Sequence, residues 1–427
     1  MINRESHRNR RPKMIFFLIA LFALAAGPGR SFVLSDPAAS SAADGLTLDQ
    51  AIDLALTRNP DVLTAQQEVR AAAARRLQAE ARPDPAVAFS TDAIPFNLKG
   101  GGTEINLGLE QTFEFPGKRA LRTEIGRAGE DLAVLDLERV RLLLATRVKR
   151  AYFRIVLARR TEADLGRSVA LLDELIENIR IRFEAGQSAY ADILRARVEK
   201  ARLQNRIIEA RRDRTAGAIE LGLFLGLPAG EIPPLQTSLA YTPLDKTAEQ
   251  VLETARRTRP SLKIAALRST RAEAEVKLAG LNRSPDLTAG LFVPSKTFHG
   301  WGVAFSLTLP LSSKRWEGQR AEAAAGREIS LIAVDAISRR IAARISFAYS
   351  ELKTAEEQVK VFETKLLAEI EDALKISLEY YRYGKMEAYA LLDLYRSLTE
   401  ARLEYGRALY LYATALADLD TAGEDGE

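Results

Sequence analysis

"LEQTFEFPGKRALR", residues 109–122, reads in two halves. Up to Phe115, apolar and polar side chains alternate with the period of a strand that has one apolar face. Pro116 and Gly117 end that pattern, Lys118 and Arg119 follow, and no further proline occurs before Pro228. "LTLPLSSKRWEGQR", residues 307–320, echoes the arrangement more weakly and opens a proline-free run to Glu427. Twice, then, the chain joins a β-strand to a very long helix.

The duplication extends beyond these joints. "LTLDQAIDLALTRNPDVLTAQ" (46–66) aligns with "KTAEQVLETARRTRPSLKIAA" (246–266), with Thr47 on Thr247, Gln50 on Gln250 and Pro60 on Pro260, a constant offset of 200. "RPDPAVAF" (82–89) aligns with "RSPDLTAG" (283–290), and "RFEAGQSAYADIL" (182–194) with "RYGKMEAYALL" (382–392), glycine on glycine. Four landmarks in register mark two tandem copies, expected over 46–227 and 247–419. A connector at 228–246 would join them, and 420–427 would be a C-terminal tail. Each copy begins with a short helix, 48–58 and 247–258, broken by an X-Pro step. A second helix follows, 61–81 and 261–282. After the strands come a long helix, 118–184 and 314–383, a glycine turn, and a return helix, 188–226 and 386–418. At 1.5 Å per residue the long helices reach roughly 100 Å. Their apolar residues recur at three and four (Val134, Leu137, Val140, Leu144, Val148), which calls for coiled-coil partners.

The strands decide the class. Ile105, Leu107, Leu109, Phe113 and Phe115 face one way, and Asn106, Gly108, Glu110, Thr112 and Glu114 the other, with Gln111 the one break in the apolar face. Strands 302–309 and 287–293 alternate similarly, and 86–92 less cleanly. Alternation alone allows a four-stranded sheet packed on helices in a soluble domain. The flanking helices, however, are rods, and the narrow stripe of a rod cannot cover a sheet face. In a membrane a barrel must be closed and starts at about eight strands. Two chains would supply eight and three would supply twelve, and the arithmetic does not choose between them. Lys118, Arg119, Lys314 and Arg315 at the joints would either meet headgroups or simply be solvated at a helix start.

The N-terminus is expected to be a secretory signal over 1–26. It has a basic stretch from Arg4 to Lys13 and the apolar core "MIFFLIALFALAA" (14–26), too short to span a bilayer. Residues 27–45 read as a flexible linker. Cleavage near Ala26 would remove five of the 61 Lys/Arg and one of the 57 Asp/Glu, leaving a nearly neutral chain. No basic patch suggests nucleic acid, and with no cysteine there is no acceptor for an N-terminal lipid.

"LTLDQAIDLALTRNP", "LEQTFEFPGKR", "RFEAGQSAYADILRARVEKARL" and "YRYGKMEAYALLDLYRSLTEARL", taken in order and duplicated, resemble the TolC-like outer-membrane efflux proteins of Gram-negative bacteria. The residues 111–119 look most like the heavy-metal efflux branch. The resemblance implies an α-dominated fold with β: a coiled-coil helical tunnel and four transmembrane strands per chain, forming a homotrimer with a 12-stranded barrel in outer-membrane lipid. It also implies a periplasmic adaptor and an inner-membrane transporter as partners. The function implied is a passive exit duct of a tripartite efflux system, for heavy-metal cations or other cargo. Two alternatives stand beside it: the exit duct of a type I protein secretion system, and a soluble periplasmic coiled-coil adaptor. By position, the resemblance makes Asp393 and Tyr381 periplasmic gate candidates. Ala390 and Met386 stand where some members carry an acid and a base, and Asp192 could supply the missing charge. Gly186, Gly384, Arg182 and Arg382 at the turns are candidates for adaptor contact.

No catalytic constellation is legible, and no cofactor is expected. The two histidines are His7 and His299, so a Cys/His zinc site is excluded. "KGGGTE" (99–104) lacks the Gly-Lys-Ser/Thr ending of a phosphate loop. No enzyme activity or resident metal is expected.

Overall fold

A computed structural model describes residues 45–91, 105–228, 232–236, 238–294, 301–309, 312–363 and 366–424. The expected signal segment, His299, the Gly-rich 99–104 stretch and Pro310 lie outside the described residues. The elements run α1 (Leu48–Arg58), α2 (Pro60–Glu80), β1 (Ala86–Thr91), β2 (Ile105–Phe113), α3 (Lys118–Glu184) and α4 (Tyr190–Leu225). They continue as α5 (Ala248–Thr258), α6 (Pro260–Leu281), β3 (Leu287–Pro294), β4 (Gly302–Leu307), α7 (Ser313–Glu363), α8 (Leu366–Arg382) and α9 (Ala388–Thr421). The second long helix, expected as one piece over 314–383, is described as α7 and α8, with residues 364–365 outside the described set.

Local chemistry explains the starts and stops. Thr47 with Gln50, and Thr247 with Gln250, form reciprocal capping boxes on α1 and α5. Asn59 ends α1 and caps α2, whose first residue is Pro60. Its Nδ2 also donates to the Phe224 carbonyl at 3.0 Å, near the end of α4. Arg259 holds the matching position in the second half and donates to the Leu419 carbonyl at 2.8 Å and to the Asp420 carbonyl. Arginine cannot accept a hydrogen bond, so it cannot cap α6. Glu424 does so instead: its fully buried carboxylate accepts from the Ser261 N–H and from the Ser261 hydroxyl, the latter at 2.6 Å. A tyrosine on each long helix anchors the start of its half. Tyr152 on α3 donates to the Leu46 carbonyl at 2.8 Å, and Tyr349 on α7 to the Lys246 carbonyl at 3.1 Å.

The four strands form one antiparallel sheet in the order β1-β2-β3-β4. The register sets Val87 against Leu109 and Phe89 against Leu107, then Leu107 against Val293 and Leu109 against Leu291, then Leu291 against Val303 and Leu287 against Leu307. Cross-strand partners share a face, so these side chains make one apolar surface. Among the described residues no helix covers it: its large side chains, from Val293 at 36% to Phe89 at 75%, stay exposed. On the other face the Phe292 ring lies across Gly108 and Gly290, where any Cβ would collide with it. Gln111 departs from the apolar face because its Nε2 ties β2 to the Pro83 carbonyl at 2.8 Å.

The strand–helix joint is a buried knot. Gly117 turns the chain at φ +100°, a conformation open to glycine. Lys118, 7% exposed, reaches Asp286 and the Ser284 carbonyl, each at 2.8 Å, while the Phe115 N–H donates to the same Asp286 oxygen at 2.7 Å. Lys118 is thus neither at a headgroup nor solvated: it ties the first half to the second. Burial and these bonds act in opposite senses on Asp286, and the net effect holds its carboxyl below the usual aspartate range.

Two buried clusters follow along the helices. One joins α1, α2, α3, α4, α5, α7 and α9 with Leu235 and Leu239 of the connector. The other joins α3, α4, α8 and α9, with Leu165, Leu172, Leu175 and Ile179 at heptad spacing on α3. Glu356 on α7 sits 4% exposed and accepts from Tyr241 at 2.9 Å, Lys353 at 2.6 Å and Lys360 at 2.7 Å.

Candidate functional site

The two hairpin tips end in the same device. Gly186 and Gly384 adopt φ +72° and +75°. Behind Gly186, its N–H meets the Phe183 carbonyl at 2.9 Å and the Gln187 N–H meets Arg182 at 2.8 Å. Behind Gly384, the Gly384 N–H meets Tyr381 at 3.0 Å and the Lys385 N–H meets Tyr380 at 2.9 Å. Both are Schellman closures, in which a left-handed residue lets the chain satisfy the last helical carbonyls. The matched glycines in the sequence therefore have a backbone reason.

The side chains break that symmetry. Arg182, at the end of α3, crosses to α8: its Nη1 donates to the Tyr381 carbonyl, and its guanidinium lies 4.8 Å from the Tyr381 ring centroid. Gly384 leaves room for it, since a Cβ there would come within 3.3 Å of Nη2. Arg382, the matching residue of the second half, is exposed and pairs with Glu379 on its own helix at 2.8 Å. Tyr381 is 2% exposed, and burial pushes its hydroxyl above the usual tyrosine range. That hydroxyl makes no hydrogen bond of ordinary geometry, although Ser188, Arg182 and Asp192 lie close enough to bias its ionisation. Asp192, in the first turn of α4, accepts from Ser188 at 3.2 Å and pairs with Arg195 at 3.3 Å.

Arg182, Asp192, Tyr381 and Gly384 thus line one open cleft between the tips, of about 470 Å³. Asp393 does not line it. It stands exposed on α9, where its carbonyl accepts from the Ser397 hydroxyl at 3.0 Å. Gly186 faces open space, and Tyr380 and Tyr383 are exposed. Above the cleft, Glu199 of α4 holds Arg396 of α9 at 2.7 Å, and Arg206 of α4 holds Glu400 of α9 at 2.6 Å. These cross-ties leave no sequence signal, because their partners are almost 200 residues apart. Among the described residues, no group of three or more His, Cys, Asp or Glu is placed to hold a metal ion. No described helix is long and apolar enough to cross a membrane.

The chain matches the profile of the outer membrane efflux protein family over residues 51–227 and 251–423. It belongs to that family. Among curated relatives, this efflux protein is 22% identical over 397 residues to the cobalt-zinc-cadmium resistance protein CzcC of Cupriavidus metallidurans, covering 92% of this chain and 93% of CzcC. Among solved structures, CusC superposes with a TM-score of 0.75 at 20% identity, over 89% of this chain and 92% of that one. The open-state outer membrane channel MtrE of Neisseria gonorrhoeae gives 0.75 at 20% identity, over 88% of each chain. The outer membrane channel CmeC of Campylobacter jejuni gives 0.72 at 18%, over 89% of this chain and 86% of that one. These likenesses establish the fold as that of the outer membrane efflux channels.

Proposed function

We propose that this efflux protein is the passive exit duct of a tripartite efflux system in a Gram-negative outer membrane, and that its cargo is heavy-metal cations. The observation that carries the reading is the uncovered apolar sheet face. A soluble domain does not leave a four-stranded apolar surface and two free sheet edges in water. In a bilayer the same surface is lipid-facing, and the free edges β1 and β4 pair between copies. Three copies close a 12-stranded barrel, and the two tandem repeats per chain continue it as a helical tunnel into the periplasm. An adaptor and an inner-membrane transporter supply energy and selection. The likeness to a cobalt-zinc-cadmium resistance protein supports the choice of cargo.

At the tips, Arg182, Tyr381 and Asp192 form the latch that holds the tunnel end, with Asp393 a solvated charge on the way in. The turns around Gly186 and Gly384 offer the adaptor its contact, Arg382 included. Cell fractionation with native mass measurement in detergent tests the reading. A heat-modifiable outer-membrane species of three chains is expected; a soluble periplasmic monomer would overturn it.

A further inference from the structure

The end of the sheet that joins the helices carries cations that no described residue pairs in an ion pair. Antiparallel order brings the starts of β1 and β3 to the ends of β2 and β4, as the pairings Ala86–Glu110, Phe113–Leu287 and Leu287–Leu307 show. Four chain segments therefore leave the sheet side by side. They carry Arg82 before β1, Arg119 after β2, Arg283 before β3, and Lys314 and Arg315 after β4. All five are exposed, and among the described residues none makes an ion pair. Their neighbours Lys118 and Arg122 are committed elsewhere, to Asp286 at 2.8 Å and Glu114 at 2.7 Å. Two exposed anions, Asp84 and Glu317, stand on the same segments, so the surface keeps a positive excess.

The apolar face of the sheet stops at this level, and an aromatic stands among the cations in the first turn of α7. Trp316 is half-buried, its indole Nε1 has no partner, and the Arg315 guanidinium lies 5.3 Å from its ring centroid. Tryptophan together with arginine and lysine at the end of an apolar band is the pattern of a bilayer interface. The five cations are spread along four segments and do not converge on one point. That spacing fits several headgroups in a plane better than one soluble anion, and guanidinium groups pair well with phosphate oxygens.

We propose that Arg82, Arg119, Arg283, Lys314 and Arg315 form a collar that holds the phosphates of anionic glycerophospholipids, in the leaflet at the helix-joined end of the sheet. The proposal rests on the membrane reading above, and its test is separate from fractionation. The purified assembly is reconstituted with equal phosphatidylglycerol and phosphatidylethanolamine, re-extracted, and its retained lipid quantified by mass spectrometry. Phosphatidylglycerol should be enriched, and the enrichment should fall as salt rises from 50 mM to 500 mM, conditions that shrink the Debye length severalfold. Replacing Arg119, Lys314 and Arg315 together by glutamine should remove about three fifths of the excess phosphatidylglycerol at low salt, since each cation prefers its own anionic headgroup by about fivefold. The same charge loss at the exposed Arg197, Arg202 and Arg212 of α4 should leave it unchanged.

Should the triple variant fail to assemble, the salt titration of the unaltered protein decides. Equal retention of the two lipids at every salt concentration would overturn the collar while leaving the membrane reading standing. A preference for lipid A phosphates over phosphatidylglycerol would also overturn it, because it would place the collar in the other leaflet. Absence from the outer membrane would instead sink the membrane reading itself.

Discussion

Replacing Arg182 by alanine removes the contact that joins the two halves at their tips. The charge-assisted hydrogen bond to the Tyr381 carbonyl contributes on the order of 1.5–3 kcal/mol. The stacking on the Tyr381 ring adds about 1 kcal/mol at a half-exposed site. Against this stands the cost of the Arg182 Nε, which is buried without a partner. The net is about 2 kcal/mol per chain, and about 6 kcal/mol if three chains act together. A change of about 5.5 kcal/mol carries a two-state equilibrium from 1:99 to 99:1. Arg182→Ala should therefore convert a mostly closed duct into a mostly open one. Single-channel recording in planar bilayers reads this as a rise in open probability of more than tenfold. Arg182→Lys keeps the charge but not the planar stacking and should fall between the two. An open probability unchanged in Arg182→Ala, with assembly intact, would refute the latch.

Three further outcomes are expected. The bonds from Lys353 and Lys360 hold Glu356 at a pKa of about 2, down from 4.5, so its contribution is complete above pH ~4.5 and is lost as pH falls towards 2. Thermal melts at fixed scan rate should show Glu356→Gln less stable than the parent at pH 6 but converging with it at pH 3; equal pH dependence in both proteins would contradict this. Glu424→Ala, by uncapping α6, should lower stability by about 1 kcal/mol or more. Adding Arg259→Asn, which lets α6 cap itself as Asn59 caps α2, should recover part of the loss, and an additive loss in the double variant would count against the exchange. Leu109→Arg on the apolar face should cost about 2–4 kcal/mol and impair outer-membrane assembly, while Ser306→Arg on the opposite face is tolerated. Heat-modifiable gel mobility distinguishes them, and equal behaviour would argue against a lipid-facing surface.

Much of the architecture is legible in the chain because its signals are local. X-Pro steps, turn glycines and strand alternation act over a few residues, and α1 and α3 span Leu48–Arg58 and Lys118–Glu184. The tip glycines are legible for the same reason, since a left-handed turn selects glycine wherever it occurs. The roles of charged residues were not legible in this way. Lys118 looked like a surface cation and is buried on Asp286. Arg182 and Arg382 occupy matching positions, yet one crosses to the other half and the other pairs within its own helix.

Sequence alone determined the periods and the apolar faces they create, because each is a property of neighbouring residues on one element; that no described helix covers the apolar face of the sheet was decided by the tertiary structure. Only tertiary structure decided which charges are spent inside the chain and which remain available. Arg259 and Glu424 trade the two jobs that Asn59 does alone, across more than 160 residues of chain. Such a pairing depends on where the helix ends meet in space, and no local period records that.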